Sequence, residues 1–299
     1  PKFINDARCG YVVPFEDTTA MAEKLAILLV DDDLRHQLGQ KGHEAVLQFH
    51  SDKSSGPRAL EKIRNVSALK PAVSIIVPAY NHAPFLRQRL ESIYNQSFQD
   101  FEVILLDDKS DDATSSIFND YQHKANTRIC INQKNSGSPF KQWQKGMEMA
   151  NSDLIWIAED DDYCEQNFLA EMLPLFDDPE VSLAYCQSTA IDESGGVLFS
   201  YMDYYKHEFD DYQRWQNTYK NSGQEEVVIG LGLINTIPNA SAVIFRRFDT
   251  QRWQENWIDS VLAGDWAFYL HALQYGKVAY LPEHLNFHRR HEQTMTRKT

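Results

Sequence analysis

A chain of 299 residues with 42% hydrophobic and 12% aromatic residues is long enough for one large domain, or for a domain with an appendage, and is not compositionally disordered. Its formal net charge of -14 argues against non-specific nucleic-acid binding, which needs Lys and Arg to displace counterions, and against broad attraction to an anionic membrane. The four cysteines, Cys9, Cys130, Cys164 and Cys186, form no CxxC pair, so a thiolate zinc site is not expected and four reduced thiols in a cytosolic protein is the simplest reading.

No apolar run approaches the length of a membrane span, and no signal peptide is visible. The chain starts at Pro1 without Met, which reads as a fragment of something longer. The N-terminal stretch reads as a small α/β piece. Gly10–Pro14 is a short apolar run ended by proline, and Asp17 to Thr19 supply cap candidates for a helix carrying Met21, Leu25, Leu28 and Leu29. A second helix follows Asp31–Asp33. Residues 51–57 (SDKSSGP) have linker composition, and a third short helix is expected from Arg58 to about Val66.

From Val73 the pattern changes. Val73–Val77 (VSIIV) is a continuous β-branched run, as expected of a strand covered on both faces. Helix and strand then alternate: a helix over 84–95, a strand at Phe101–Leu106, helices near 113–122 and 139–150, and strands near 128–132 and 154–158. Such alternation with short connections predicts a parallel sheet. Further on, a strand is expected over 181–190 with a hairpin through Asp192–Gly196 to 197–199, a strand over 240–245, a helix over 266–274 and a last strand over 278–281. Residues 201–216 receive no assignment, and the tail from His284 reads as basic and polar.

Three polar clusters follow predicted strands: Pro78–His82 (PAYNH), Asp107–Asp112 (DDKSDD) and Glu159–Asp162 (EDDD). In an open parallel sheet, ligands sit beyond the carboxyl ends of the strands, so the topology brings all three to one edge. Four adjacent carboxylates repel one another unless a cation relieves them, and hard oxygen ligands suit Mg²⁺ or Mn²⁺. In extended backbone Glu159 and Asp161 would share a face. A solvated acidic turn is the competing reading, disfavoured by the convergence of clusters. One of Asp107 and Asp108 would accept from a base N–H or a ribose hydroxyl, with an Asx-type turn leading into a helix as the competing reading. Tyr80 would stack on a base or be an ordinary half-buried tyrosine, and residues 135–139 (NSGSP) would turn N–H groups toward a phosphate. No GxGxxG follows 73–77, against a Rossmann dehydrogenase.

Residues 73–114, with a strand ending in PxYN, a helix with SIxxQS and then FEVILxDDxS, resemble the opening of a family 2 glycosyltransferase; residues 146–169 resemble its DxD segment. The resemblance runs to about His291. It implies an α/β GT-A fold, a nucleotide-binding sheet flanked by helices with a mixed C-terminal half. It also implies inverting transfer from a UDP-, dTDP- or GDP-sugar to a saccharide or lipid-linked saccharide acceptor, in bacterial cell-surface polysaccharide assembly. Carried over by motif, Pro78, Tyr80 and Asp108 contact the nucleotide, with Asp107 nearby. The DxD position falls on Glu159-Asp160-Asp161, with Glu in place of the commoner Asp. Asp161 becomes the first metal ligand, Asp160 a ribose or metal contact, and Asp162 is left open. Asp265 stands where the family has its base, after Gly264 rather than an acidic residue; a helix N-cap is the alternative role. Residues 287–296 (FHRRHEQTMT) resemble a segment that lends a His to the metal or diphosphate, His288 first and His291 second. Asn239 is a candidate donor-sugar contact.

Residues 1–70 resemble the closing strand-helix-helix of a GT-B glycosyltransferase, a small, mostly helical segment ahead of a GT-A domain at 71–299. A cytoplasmic location, or a peripheral one at the inner membrane face, follows from the resemblance, with other transferase domains in the parent protein. The unusual Glu159 and Gly264 keep open a non-catalytic nucleotide- or sugar-binding module. Another metal-dependent nucleotide enzyme is the further alternative, although a nucleotidyltransferase would want a Gly-rich basic loop that PAYNHAPF lacks.

Overall fold

The computed structural model describes residue 4 and residues 8–13, 17–49, 70–248 and 263–291; the expected helix over 58–66 and the linker before it lie outside these. The chain divides into two compact units, Pro1–Leu69 and Lys70–Thr299.

In the first unit, helix α1 (Thr18–Val30) starts where Asp17 accepts from the Ala20 N–H, 2.9 Å away, and helix α2 spans Asp32–Phe49. Residues 10–13 form no strand, so the described part of this unit is helical rather than α/β.

The second unit is built on a ten-stranded mixed sheet. Strands β1 (Val73–Ala79), β2 (Phe101–Asp107), β3 (Thr127–Ile131) and β4 (Leu154–Ile157) run parallel in the order β3-β2-β1-β4. Beyond β4 the order continues β9-β6-β10-β5, with β6 spanning Val181–Ile191, β9 Val243–Arg246, β10 Lys277–Arg289 and β5 Tyr163–Cys164. β9 is antiparallel to both β4 and β6, while β10 runs parallel to β6. Hairpin strand β7 (Val197–Ser200) pairs with β6, and β8 (Tyr219–Ser222) with β10.

Alternate strand residues feed two cores. Ile75 and Val77 pack with Val103, Leu105, Trp156 and Phe168 on one face; Ile76 packs with Ile104, Leu106, Phe140, Trp143 and Ile157 on the other. Helix α3 (Ala83–Tyr94) brings Leu86, Leu90 and Ile93 to the first core. Helix α5 (Pro139–Met149) brings Phe140, Trp143 and Met147 to the second. Helix α4 (Thr114–Asp120) joins β2 to β3, and helix α6 (Phe168–Met172) follows β5. Close backbone approach explains Gly146: a Cβ there would lie 2.4 Å from Ile76 Cγ2 on β1.

Three expectations change. Residues 240–242 form a turn of 3₁₀ helix, and the strand begins only at Val243, because Asn239 caps the turn by accepting from Ala242 N–H at 3.2 Å. Residues 201–216 contain helix α7 (Tyr201–Glu208) and a 3₁₀ turn at Tyr212–Gln216, anchored by buried Tyr205 and Trp215. The tail from His284 is no free tail as far as Arg289. It continues β10 between β6 and β5, where Asn286 and Arg289 are buried despite their polarity. Polar composition alone reads as surface; here the Asn286 amide N–H groups and the Arg289 guanidinium find partners inside.

Candidate active site

Strand register sets the loops level with one another. Ala79 lies opposite Asp107 and Ile76 opposite Ile157, so Tyr80, Asp108 and Glu159 emerge from the same edge of the sheet. Backbone and side-chain bonds then tie the loops together. Asp108 N–H donates to Ala79 O at 2.9 Å, Asn81 Oδ1 accepts from Asp111 N–H at 2.8 Å, and Tyr80 N–H donates to Asp160 Oδ2 at 3.1 Å. Asn81 sits at φ 58°, a left-handed conformation that Asn tolerates better than most residues.

The four carboxylates of 159–162 separate rather than sharing a face. The segment is a turn, with Asp162 N–H reaching Glu159 O at 3.4 Å, so the alternation expected of extended backbone does not apply. Glu159 accepts from the Trp143 indole at 2.8 Å; burial, then the charges of Asp160 and Asp161, push its carboxyl well above the ordinary range. Asp160 bonds His82 Nδ1 at 2.7 Å, and burial raises its carboxyl although that bond opposes the rise. Burial disfavours a charged His82, but Asp160 and the neighbouring carboxylates outweigh it and raise the imidazole to about 9. Asp162 faces inward, accepting from Arg289 N–H at 2.8 Å and Asn239 Nδ2 at 3.0 Å; burial and then Asp161 push it up to about 7. Asp161 alone is lowered: burial acts against ionisation, but the bond to His291 and the charges of His82 and His288 overcome it.

His291 Nε2 lies 2.9 Å from Asp161 Oδ2, and the His291 ring meets His82 edge-on at 5.0 Å. Asp161, His82 and His291 each offer a ligand atom, and these atoms lie within 4.8 Å of one another. A hard carboxylate oxygen with two imidazoles fits a divalent ion such as Mn²⁺, with Mg²⁺ the harder alternative. His288 stands behind this group: its Nδ1 is 2.6 Å from the Tyr201 hydroxyl, on which it stacks, and burial lowers it to about 4. The structure therefore brings His291, the second choice by sequence, into contact with Asp161, while His288 bonds the Tyr201 hydroxyl.

Other expected residues turn out to hold the loops. Asp108 accepts from Asn132 Nδ2 (2.6 Å), Ser136 N–H (2.9 Å), Ser136 Oγ (2.7 Å) and Gln142 Nε2 (2.9 Å), which fastens residues 132–138 to the site. Asp107 caps its own turn through Ser110 N–H and receives the Ser115 hydroxyl. Pro78 is buried within β1, whereas Tyr80 keeps 45% of its surface exposed at the edge. Asn239 is buried between Asp162 and Asn286.

Asp265 opens helix α9 (Gly264–Ala272), after Ala263 at φ 58°. Its Oδ1 accepts from Trp266 N–H at 2.8 Å, and Asn235 Nδ2 reaches Oδ2 at 3.3 Å. Burial raises its carboxyl, against those hydrogen bonds. Gly264 is required by packing, since a Cβ would lie 2.3 Å from the Phe140 ring of α5. That contact ties the Asp265 helix to the half carrying Glu159 and Asp108.

Two buried arginines escaped the sequence reading. Arg89 of α3 donates from Nε to Glu159 O at 2.8 Å and lies 3.9 Å from Asp162. Arg289 donates from Nε to Asp161 O (2.8 Å), from Nη1 to Asp192 O and Glu193 O (both 2.9 Å) and from Nη2 to Gln88 Oε1 (2.7 Å). Arg289 was visible only as part of a basic run; its signal was its place two residues before His291 on the same strand path.

The model of the family described as Glycosyl transferase family 2 matches residues 74–231, more than half of the chain. The chain belongs to glycosyl transferase family 2. Within that family it is 35% identical over 94 residues to the GalNAc(5)-diNAcBac-PP-undecaprenol beta-1,3-glucosyltransferase of Campylobacter jejuni, covering 31% of this chain and 30% of that protein. The crystal structure of Staphylococcus aureus TarS 1–349 in complex with UDP-GlcNAc superposes with a TM-score of 0.59 at 20% identity, over 75% of this chain and 60% of that one. The mannosyltransferase PcManGT of Pyrobaculum calidifontis, in complex with GDP-Man and Mn²⁺, gives 0.55 at 16% identity, over 76% and 59%. These structures share the GT-A fold with this chain. The chain spans less than half the length of the curated relatives it matches. Among the described residues, no helix is long and apolar enough to cross a membrane.

Proposed function

We propose that residues 71–299 form an inverting glycosyltransferase that moves a sugar from a nucleotide-sugar to a saccharide or lipid-linked saccharide acceptor in cell-surface polysaccharide synthesis, working in the cytoplasm or at the inner face of the membrane. One observation carries the reading: Asp161, His82 and His291 converge at the carboxyl edge of the parallel strands, beside the exposed Tyr80. Asp161 and His291 would hold Mn²⁺ or Mg²⁺, with His82 and His288 as further ligands; when bound, the ion neutralises the departing diphosphate. Tyr80 stacks on the base. Asp160 keeps the Tyr80 backbone and His82 in place, and the loop fastened by Asp108 offers N–H groups to the nucleotide. Asp265 takes the proton of the acceptor hydroxyl as that hydroxyl attacks the anomeric carbon from the face opposite the leaving group.

UDP is the favoured nucleotide, on the likeness to TarS, which binds UDP-GlcNAc. A lipid-linked acceptor is suggested by the Campylobacter relative, whose name specifies an undecaprenol diphosphate. Residues 1–70 we read as the closing helices of a GT-B module in a parent protein with further transferase domains.

The test has two steps. A thermal-shift screen of UDP-, dTDP- and GDP-sugars with Mn²⁺ or Mg²⁺ should show one nucleotide class stabilising only when metal is present. Asp265→Asn should then abolish sugar release from that donor while leaving its binding intact. Stabilisation by no nucleotide would defeat the enzyme reading in favour of a structural module; full turnover by Asp265→Asn would remove Asp265 as base.

A further inference from the structure

The Asp265 carboxylate is gripped from a second segment of the chain. Residues 227–235 (VVIGLGLIN) leave the short helix α8 (Gly223–Glu226) as a single π-turn over Val227–Leu231. This segment meets the start of α9 twice. The Trp266 indole N–H donates to Leu231 O at 2.6 Å, and the Asn235 amide N–H donates to Asp265 Oδ2 at 3.3 Å. The Asn235 amide is itself oriented, because its Oδ1 accepts from Ile237 N–H at 3.3 Å, which leaves the NH₂ end for the carboxylate. The turn is closed tightly, since a Cβ on Gly232 would lie 2.4 Å from Val227 O. Its outer side is apolar, with Val228 70% and Leu233 71% exposed.

We propose that Asn235 is a positioning residue for transfer, holding the Asp265 carboxylate in its ionised form and in one orientation, and that residues 227–235 deliver it as a unit pinned by Trp266. The inference rests on Asp265 as the base. A half-buried carboxylate resists ionisation, so a general base there needs hydrogen-bond donors that favour the anion. Trp266 N–H supplies one on Oδ1 and Asn235 the other on Oδ2, so neither oxygen is free to rotate out of line. Among the described residues, Tyr269, one turn further along α9, is the titratable group on which the Asp265 charge acts. Residues 227–235 bring none, so the amide dipole is what this segment contributes.

The experiment measures UDP release from UDP-GlcNAc with Mn²⁺, water serving as acceptor, or the equivalent for whichever nucleotide-sugar stabilises the wild type. Rates are followed from pH 5 to 9 for wild type, Asn235→Ala, Asn235→Ser, Leu233→Ser and Asp265→Asn. Asn235→Ala should move the acidic limb of kcat up by about one pH unit, hence about tenfold slower at the foot of the limb, with donor KM unchanged. Asn235→Ser, which still offers a donor, should recover part of the shift; Leu233→Ser, on the same segment, should leave the limb in place. Circular dichroism and melting of each variant separate this from misfolding, as an unfolded fraction lowers kcat equally at every pH. A limb unmoved in Asn235→Ala, or a loss uniform across pH, while Asp265→Asn is inactive, overturns the proposal and leaves the base assignment standing. An active Asp265→Asn overturns both.

Discussion

Replacing Arg289 by Met tests whether the acidic turn is held from behind. The side chain is 2% exposed and donates four hydrogen bonds, to Asp161 O, Asp192 O, Glu193 O and Gln88 Oε1, while its guanidinium lies 4.8 Å from the Phe85 ring centroid. Hydrogen bonds from a charged donor are worth about 1.5–3 kcal/mol each. Asp192 and Glu193 belong to a hairpin turn open to solvent, so water replaces two of the four. Gln88 is exposed as well and finds water, so only Asp161 O loses its bond with less relief, about 1.5–3 kcal/mol. Met restores apolar contact and removes the cost of burying a charge, which returns about 1–2 kcal/mol. The expected net loss is therefore about 1 kcal/mol. All six tryptophans lie between residues 143 and 266, so urea unfolding followed by tryptophan fluorescence reports on the second unit alone. The midpoint should fall with little change in slope. Because Nε anchors the Asp161 carbonyl, UDP affinity in the presence of Mn²⁺ should drop about tenfold, as a displaced ligand would require. Arg289→Lys should lie close to Met, since one ammonium cannot span Asp161, Gln88 and the hairpin together. Loss under about 0.5 kcal/mol, with unchanged UDP affinity, would show that the turn stands without the arginine.

Two further outcomes follow from the same site. In the metal-free protein, Asp162 (raised from 3.8 to about 7) and His82 (raised from 6.5 to about 9) both bind protons more tightly folded than unfolded. Their stability contribution is complete below the unfolded values and is lost as pH rises through 7 and then 9, so melting temperature should fall between pH 5.5 and 9. Asp162→Asn should flatten the first part of that fall; a melting temperature that climbs over the range in EDTA would contradict the sign. Gly264→Ala drives a Cβ to 2.3 Å from the Phe140 ring, and should cost about 1–3 kcal/mol in urea unfolding. It should also slow donor turnover more than it weakens donor binding, because it displaces the Asp265 helix and not the acidic turn; equal losses in both would argue that the two halves move together.

Much of the donor half was legible because it is local. Val73–Ala79 and Phe101–Asp107 are continuous buried runs, Pro84 and Pro139 stand in first helical turns, and the polar loops follow each strand. The convergence of Tyr80, Asp108 and Glu159 then follows from parallel order alone. What the pattern hid is long-range. Asp108 and Asp107 read as ligand contacts because they are acidic residues at a strand end, yet their partners Asn132, Ser136, Gln142 and Ser115 are set by loop packing. The span from His284 to Arg289 read as surface because it alternates polar residues. Only the pairing of β10 with both β6 and β5 explains why Asn286 and Arg289 are inside. The choice between His288 and His291 depends on where β10 ends: Arg289 is fixed inward by Asp161 and Asp162, so His291, two residues on, returns to the same side and meets Asp161, whereas His288 faces Tyr201.

That last point bears on how the site is assembled. Asp161 belongs to a turn set by the first parallel strands, but its hydrogen-bonded partner His291 and its backbone anchor Arg289 arrive more than a hundred residues later on the far strand. Neither carboxylate nor imidazole is expensive to bury once the other is present; each is costly alone. The acidic turn and the end of β10 must therefore form together, and a chain lacking β10 would carry three raised carboxyls, Glu159, Asp160 and Asp162, around an Asp161 without the bond that keeps it ionised. A cation and a folded β10 relieve the same repulsion. Donor binding and the order of the last strand are coupled by that shared role, so Mn²⁺ with UDP should protect the backbone amides of 286–289 from hydrogen exchange, although most of these residues would not contact the nucleotide. Protection confined to 78–82 and 159–162, with exchange over 286–289 unaltered, would break the coupling.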